Sequence, residues 1–138
     1  MLRKVVAVEA VSSVWETPPV GGQGGNFLNA VVCVHTSMSI EDLRNSVLRF
    51  IEARLGRVRT SDPNSPRTID MDILIYDQQE VDGSIWETAH ICIPLAEIYP
   101  DYTHSHSGLS IKDMAGRLGQ TTPIRLRRDI RLDQKKLP

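Results

Sequence analysis

The stretch SPRTIDMDILIYD, residues 65–77, sets apolar and acidic side chains in alternation. Residues 68–76 carry the β-branched, period-two pattern of a strand. Alternate side chains of a strand share a face, so Ile69, Met71, Ile73 and Ile75 form one apolar face that belongs on a core. Asp70 and Asp72 project from the opposite face, their backbones roughly 6.6 to 7 Å apart by the strand rise. Two carboxylates at that spacing can share a hard cation, and Mg²⁺ is typically held by one or two carboxylates together with substrate phosphates. The same pattern also describes a half-exposed strand whose acids face water. The neighbouring loop shifts the balance, because Arg57, Arg59 and Arg67 lie just upstream in the proline-broken segment RVRTSDPNSPR. Arginine presents a planar fork that matches phosphate oxygens, so cations next to paired acids suit a place where metal and phosphate meet.

The surrounding sequence predicts an α+β fold. VVAVEAVSSVW (5–15) and FLNAVVCVH (27–35) read as strands, the second with Phe27, Asn29, Val31 and Cys33 on one face. TPPVGGQGGN between them has two prolines and four glycines and reads as a loop, so the pair is expected to form a hairpin. Residues 39–56 read as a helix capped by Ser39 and closed by Gly56, with Ile40, Leu43, Val47, Phe50, Ile51 and Leu55 as its buried stripe. QQEVDGSIW reads as a turn and strand extension, IPLAEIYPD as a helix opening at its proline, and SIKDMAGRLG (110–119) as a second short capped helix. The order is strand, strand, helix, strand, helix, which predicts an α+β sandwich with its helices on one sheet face.

Composition narrows the function classes. The 138 residues suit one domain, with 41% hydrophobic and 24% charged residues and a formal net charge of −1. That balance excludes a general attraction to nucleic acid or anionic membrane, and no apolar run is long enough to span a bilayer. The basic tail after residue 120 has six cations against two acids in RLRRDIRLDQKKLP and is expected to be a solvated, loosely ordered terminus. Cys33 and Cys92 both sit in apolar runs and are expected in the core. The N-terminus lacks a signal-peptide pattern, so a cytoplasmic protein is expected. His104 and His106 are spaced H-x-H with no third ligand nearby, which is weak evidence for a metal.

These residues resemble the signature of the 6-hydroxymethyl-7,8-dihydropterin pyrophosphokinase family. The likeness is carried by R-V-R followed by P-R-T-I-D-M-D-I-L-I-Y. It is extended by S-S-V-W-E-T-P-P-V and F-L-N-A-V upstream and by P-L-A-E-I-Y-P-D, H-S-H-S-G and I-K-D-M-A-G-R-L downstream. It runs in order over about residues 5 to 120, within one pyrophosphokinase-like domain spanning 1–138. The resemblance implies a ferredoxin-like α/β sandwich. It implies transfer of the β,γ-diphosphate of ATP to the hydroxymethyl oxygen of a dihydropterin, with release of AMP, in folate biosynthesis. Asp70 and Asp72 match the aspartates that hold two Mg²⁺ ions. Arg57, Arg59 and Arg67 match the arginines of the catalytic loop and ATP phosphate site. Thr17, Pro18, Val20 and Asn29 match the pterin side, and Phe27 falls at its usual aromatic.

Three departures accompany the likeness. The family opens with a strand ending in G-S-N and a helix, and this chain begins roughly where that helix should finish, so the fold is expected to lack the first strand and most of the first helix. An oligomer of this chain would then cover the exposed sheet edges. The family's P-H-P segment is absent, Thr88 stands at an arginine position, and His90 stands at a phenylalanine position that stacks on the pterin. Asn64 replaces a common tryptophan. The expected partners are ATP and a dihydropterin, with no nucleic acid or membrane. The alternative reading is a catalytically impaired relative that binds pterin or nucleotide or serves as a partner subunit. A metal-dependent nucleic-acid enzyme ranks well below both.

Overall fold

The computed structural model describes residues 6–17, 27–48 and 71–130. Its elements follow the order β1 (Val6–Val11), β2 (Val14–Thr17), β3 (Phe27–Asn29), β4 (Val32–Thr36), α1 (Ile40–Asp42), β5 (Ile75–Tyr76), β6 (Gln79–Glu80), α2 (Ala89–Ile98), α3 (Ile111–Thr121) and β7 (Arg125–Arg127). The fold is α+β, with antiparallel sheets and, among the described residues, three α-helices, as the sequence led one to expect.

The two valine-rich segments do pair antiparallel on either side of residues 18–26, which lie outside the described residues, but each is broken in the middle. β1 pairs with β4, whereas β2 pairs with β3 on one side and β7 on the other. The break falls at matching places in both strands. The Ser12 backbone N–H donates to Val31 O at 2.9 Å, while the Val31 N–H donates to the Ser12 hydroxyl at 2.8 Å instead of to a carbonyl. A side chain thus replaces one rung of the ladder, and the ribbon turns from one sheet into the other. A bulge at Glu9 adds a second irregularity, since Val8 pairs with Val34 but Ala10 pairs with Cys33. A bulge re-aims neighbouring side chains. Cys33 lies with His35 on the outward face of β4 and is exposed, contrary to the expectation of a core residue, whereas Cys92 is fully buried as expected.

Ser39 caps α1 through its side chain, which accepts from the Asp42 N–H at 3.2 Å. The helix passes at Leu43 into a π-helical stretch through Leu48 that buries Leu43 and exposes Arg44, Asn45 and Ser46. The rest of the expected helix, to residue 56, lies outside the described residues. Of the expected strand 68–76, residues 68–70 lie outside the described residues, and among 71–76 the strand is confined to Ile75–Tyr76. Among the described residues no ladder holds 71–74, so its side chains are not confined to alternate faces: Leu74 and Ile75 both pack on the larger core cluster and Ile73 on the smaller. The β5–β6 turn places Asp77 and Gln78 at φ 52° and 65°, the left-handed pair that a two-residue hairpin requires.

The helix expected to open at Pro94 opens five residues earlier, at Ala89, with Pro94 in its interior. Proline has no N–H, so the carbonyl of His90 is deprived of its usual donor four residues on. Tight packing compensates, because Pro94, Cys92, Ile85 and Ile111 are the largest fully buried side chains. α3 starts as expected, with Ser110 accepting from the Asp113 N–H at 3.1 Å. α2 and α3 pack on each other, and α2 lies over β2 and β3. Part of the basic tail is ordered as β7 along β2, tied there by Arg127, which reaches Glu16 at 3.4 Å.

Candidate functional site

Three of the expected site residues meet at the end of the β2–β3 ladder that leads into residues 18–26. Thr17 and Phe27 are direct partners in the ladder, and Asn29 pairs with Trp15. Cross-strand partners share a face, so Trp15, Thr17, Phe27 and Asn29 project to one side of the sheet. There the Asn29 carboxamide Nδ2 donates to Thr17 Oγ1 at 3.2 Å. Thr17 is 8% exposed and Phe27 is 50% exposed. The result is an aromatic ring open to solvent beside a paired amide and hydroxyl. Such an end has the chemistry to take a flat heterocycle, with an apolar face for stacking and a small set of donors and acceptors at the edge.

Asp72 stands on a different segment. Its side chain is exposed, and among the described residues no group donates to its carboxylate. Free, hard oxygen donors of this kind fit Mg²⁺. Ile73, the next residue, packs with Val6, Leu43, Val34 and Met38, which anchors the chain under Asp72 to the β1–β4 ribbon. Asp70, Arg57, Arg59, Arg67, Pro18 and Val20 lie outside the described residues. Among the described residues no group of three His, Cys, Asp or Glu side chains is arranged to hold a metal ion.

His90 is the second residue of α2, exposed at its rim and partly desolvated by its surroundings, which lowers its pKa below the ordinary imidazole value. Thr88, just before α2, makes no side-chain cap. The H-x-H pair is used locally. His104 Nδ1 accepts the backbone N–H groups of His106 and Ser107, both at 3.2 Å, and its ring meets Trp86 edge-on at 5.0 Å. That nitrogen closes a turn, and the ring extends an aromatic cluster with Tyr102, which stacks on Trp86 at 6.0 Å.

Sequence reasoning missed Glu97. Its carboxylate receives the Trp15 indole N–H, the Ser13 hydroxyl at 2.8 Å and the Ser13 backbone N–H at 3.2 Å. The signal available was slight, since Glu97 reads as an ordinary polar position between Ala96 and Ile98. A tryptophan next to an acidic residue on the same strand gives no clue that its indole is bound elsewhere.

The family model for 7,8-dihydro-6-hydroxymethylpterin-pyrophosphokinase matches residues 1–100. Several curated relatives bear the name 2-amino-4-hydroxy-6-hydroxymethyldihydropteridine pyrophosphokinase. The protein of Methylorubrum extorquens is 38% identical over 105 residues, covering 70% of this chain and 65% of its own length. That of Synechocystis is 29% identical over 114 residues, covering 77% of this chain and 57% of its own length. That of Bacillus subtilis is 35% identical over 102 residues, covering 67% and 60%. The chain thus spans somewhat under two thirds of the length of these relatives. It belongs to the pyrophosphokinase family that the model describes.

Proposed function

We propose that this member of the pyrophosphokinase family transfers diphosphate from ATP to 6-hydroxymethyl-7,8-dihydropterin and releases AMP. The observation that carries the reading is the family match, which runs over residues 1–100 and so takes in every candidate site residue from Thr17 to His90. The hairpin end supports it independently, because an exposed ring beside an amide–hydroxyl pair suits a pterin.

In this reading Phe27 offers the face on which the pterin stacks. Asn29 reads its edge, with one Nδ2 proton committed to Thr17 and the remaining donor and the carbonyl turned to the ligand. Pro18 and Val20 are assigned to the pterin side by the family pattern alone, and His90 at the start of α2 supplies a second ring. Asp72, with Asp70 two residues before it, holds the two Mg²⁺ ions expected with ATP. Bound Mg²⁺ supplies charge neutralisation on the phosphates and polarises the oxygens it touches. Arg57, Arg59 and Arg67 take the phosphate oxygens. Phosphoryl transfer asks a protein chiefly for alignment and charge stabilisation, and this set of side chains offers both. A cytoplasmic location follows from that substrate set. Among the described residues no helix is long and apolar enough to cross a membrane.

The test is AMP formation from ATP, Mg²⁺ and hydroxymethyl-dihydropterin. Wild type should turn over, and Asp72→Ala should lose about a hundredfold or more, the scale of removing one preorganised charge-stabilising group. Wild type that binds the pterin yet forms no AMP above blank would overturn the enzyme reading in favour of a non-catalytic pterin binder.

A further inference from the structure

Glu97 sits seven residues along α2 from His90 and touches no candidate site residue, yet it holds the strand that carries them. Its Oε1 receives the Trp15 indole N–H, and its Oε2 receives both the Ser13 hydroxyl and the Ser13 backbone N–H. These three donors sit at the entry to β2, where the ribbon leaves one sheet for the other. Trp15 is the ladder partner of Asn29 and shares its face of the sheet. The carboxylate also stands between two grooves of about 300 and 460 Å³, one bordered by Ser13 and Arg127 and the other by Trp15 and Gly119. The indole borders the larger groove, so packing leaves part of it uncovered, and its hydrogen bond to the carboxylate fixes it there.

We propose that Glu97 is a positioning residue for the pterin-reading edge: by clamping Ser13 and Trp15 to α2 it fixes the height and tilt at which β2–β3 presents Asn29 and Thr17. The inference rests on the diphosphokinase reading for the identity of the ligand. It does not rest on it for the geometry. Charge-assisted hydrogen bonds are the strong members of their class, and three on one carboxylate leave little freedom to the strand entry. Loss of the clamp frees the indole to turn into the wider groove, and the paired strand follows because cross-strand partners move together. The effect is confined to the pterin side, because Asp72 is anchored separately through the cluster of Val6 and Leu43.

The experiment measures equilibrium binding of hydroxymethyl-dihydropterin by calorimetry, with kcat and both KM values, for wild type, Glu97→Ala, Glu97→Gln and Trp15→Phe. Glu97→Ala should raise the pterin Kd and KM by about three- to tenfold, the range expected for losing charge-assisted hydrogen bonds at a solvent-exposed site. The ATP KM and kcat should stay within about twofold of wild type, because those readouts do not depend on the hairpin's height. Glu97→Gln keeps an acceptor for the indole and should recover most of the loss. Trp15→Phe should reproduce part of the alanine effect, and the double variant should add little to Glu97→Ala, because the indole bond is one of the three that Glu97→Ala already breaks. An unchanged pterin Kd in Glu97→Ala, or equal losses for pterin and ATP, overturns the inference. Wild type that binds the pterin without forming AMP removes the diphosphokinase reading and leaves the Kd comparison to decide this one; wild type that binds no pterin removes both.

Discussion

Residues 83–121 and the β1–β4 ribbon bury their apolar side chains to different depths. In the first region Ile85, Cys92 and Ile111 have no exposed surface, and Trp86 and Leu95 stay below 9%. In the second, among the described residues, Val6 at 9% and Leu43 of the adjoining helical stretch at 6% reach burial, with Val34, Met38 and Ile73 packed partly against them. The difference separates two tasks. The helical half supplies the closed packing from which stability comes, whereas the ribbon half holds up an edge, with Asp72 following from it and the β2–β3 end beside it. An edge that must meet a ligand cannot also be sealed, and side chains in loosely closed clusters gain less from burial.

Truncation in each half is the strongest way to break this contrast. Ile111→Ala should cost about 4–5 kcal/mol of unfolding free energy and Leu43→Ala about 2–3 kcal/mol, within the range for buried Ile and Leu truncations. The asymmetry arises because a cavity at Ile111 is walled on all sides, while the ribbon can relax into the space left by Leu43. Chemical denaturation read by tryptophan fluorescence decides it, since Trp86 lies in the helical cluster and Trp15 beside the hairpin. Equal losses at both sites would mean that the two halves are closed to the same degree.

The two cysteines report on the same contrast. Burial pushes the Cys92 thiol up to about 11, so it stays protonated and out of reach at neutral pH. Cys33 is exposed on β4, but partial burial and the nearby Glu9 carboxylate raise its pKa as well. A thiol reagent at pH 8 should therefore label one cysteine in the native protein and the second only on unfolding. The single reactive thiol should be slower than a free one, and Glu9→Gln should speed it by removing the negative charge 3.8 Å from the sulfur. Two labelled thiols in the native state would show that the helical cluster opens readily. No labelled thiol would show that the ribbon is as closed as the helices.

How far the sequence could be read follows the same division. Where apolar spacing and caps coincide, as at Ser110 and the residues of α3, reading and structure agree, because burial and capping pull the same way. The antiparallel pairing of the two valine-rich segments was equally legible, since β-branched runs on either side of a turn-rich stretch favour it. The misreadings fall where one local event overrides the pattern. Cys33 falls with His35 on the outward face of β4, although its apolar neighbours Val32 and Val34 suggest the core. Pro94 suggests a helix start, yet the residues before it are apolar enough to continue the helix around it. The strand pattern in Met71–Leu74 has no ladder to enforce it, and period two holds only where a neighbouring strand imposes it. At the site, the residue types of Thr17, Phe27 and Asn29 were assigned through the family resemblance. Their meeting at one end of the hairpin is a structural fact. Glu97 was invisible because its partners are two strand residues distant in sequence.

The smallest effect concerns β7, which belongs to neither core. It is held on β2 partly by charge. Arg127 makes two bonds to Asp129, Nε to Oδ1 at 2.9 Å and Nη2 to Oδ2 at 2.6 Å, and reaches Glu16 across the ladder at 3.4 Å. The paired guanidinium holds the Asp129 carboxyl down to about 2, mainly through its hydrogen bond. A lowered carboxylate pKa stabilises the folded state above the unfolded value near 4 and loses that contribution as pH falls through about 2. Acid should therefore loosen β7 first, between roughly pH 4 and 2, before the helical cluster unfolds. Backbone hydrogen exchange at Leu126 should speed up over that window while exchange at Cys92 and Leu95 does not, and Asp129→Asn should remove the acid step. Both groups exposed by acid at the same pH would mean that β7 is fastened by burial, like the helices, and that its charges contribute nothing of their own. The Asp129 carboxylate is exposed, so the step should be small and should weaken further in high salt, because solvent screens such contacts.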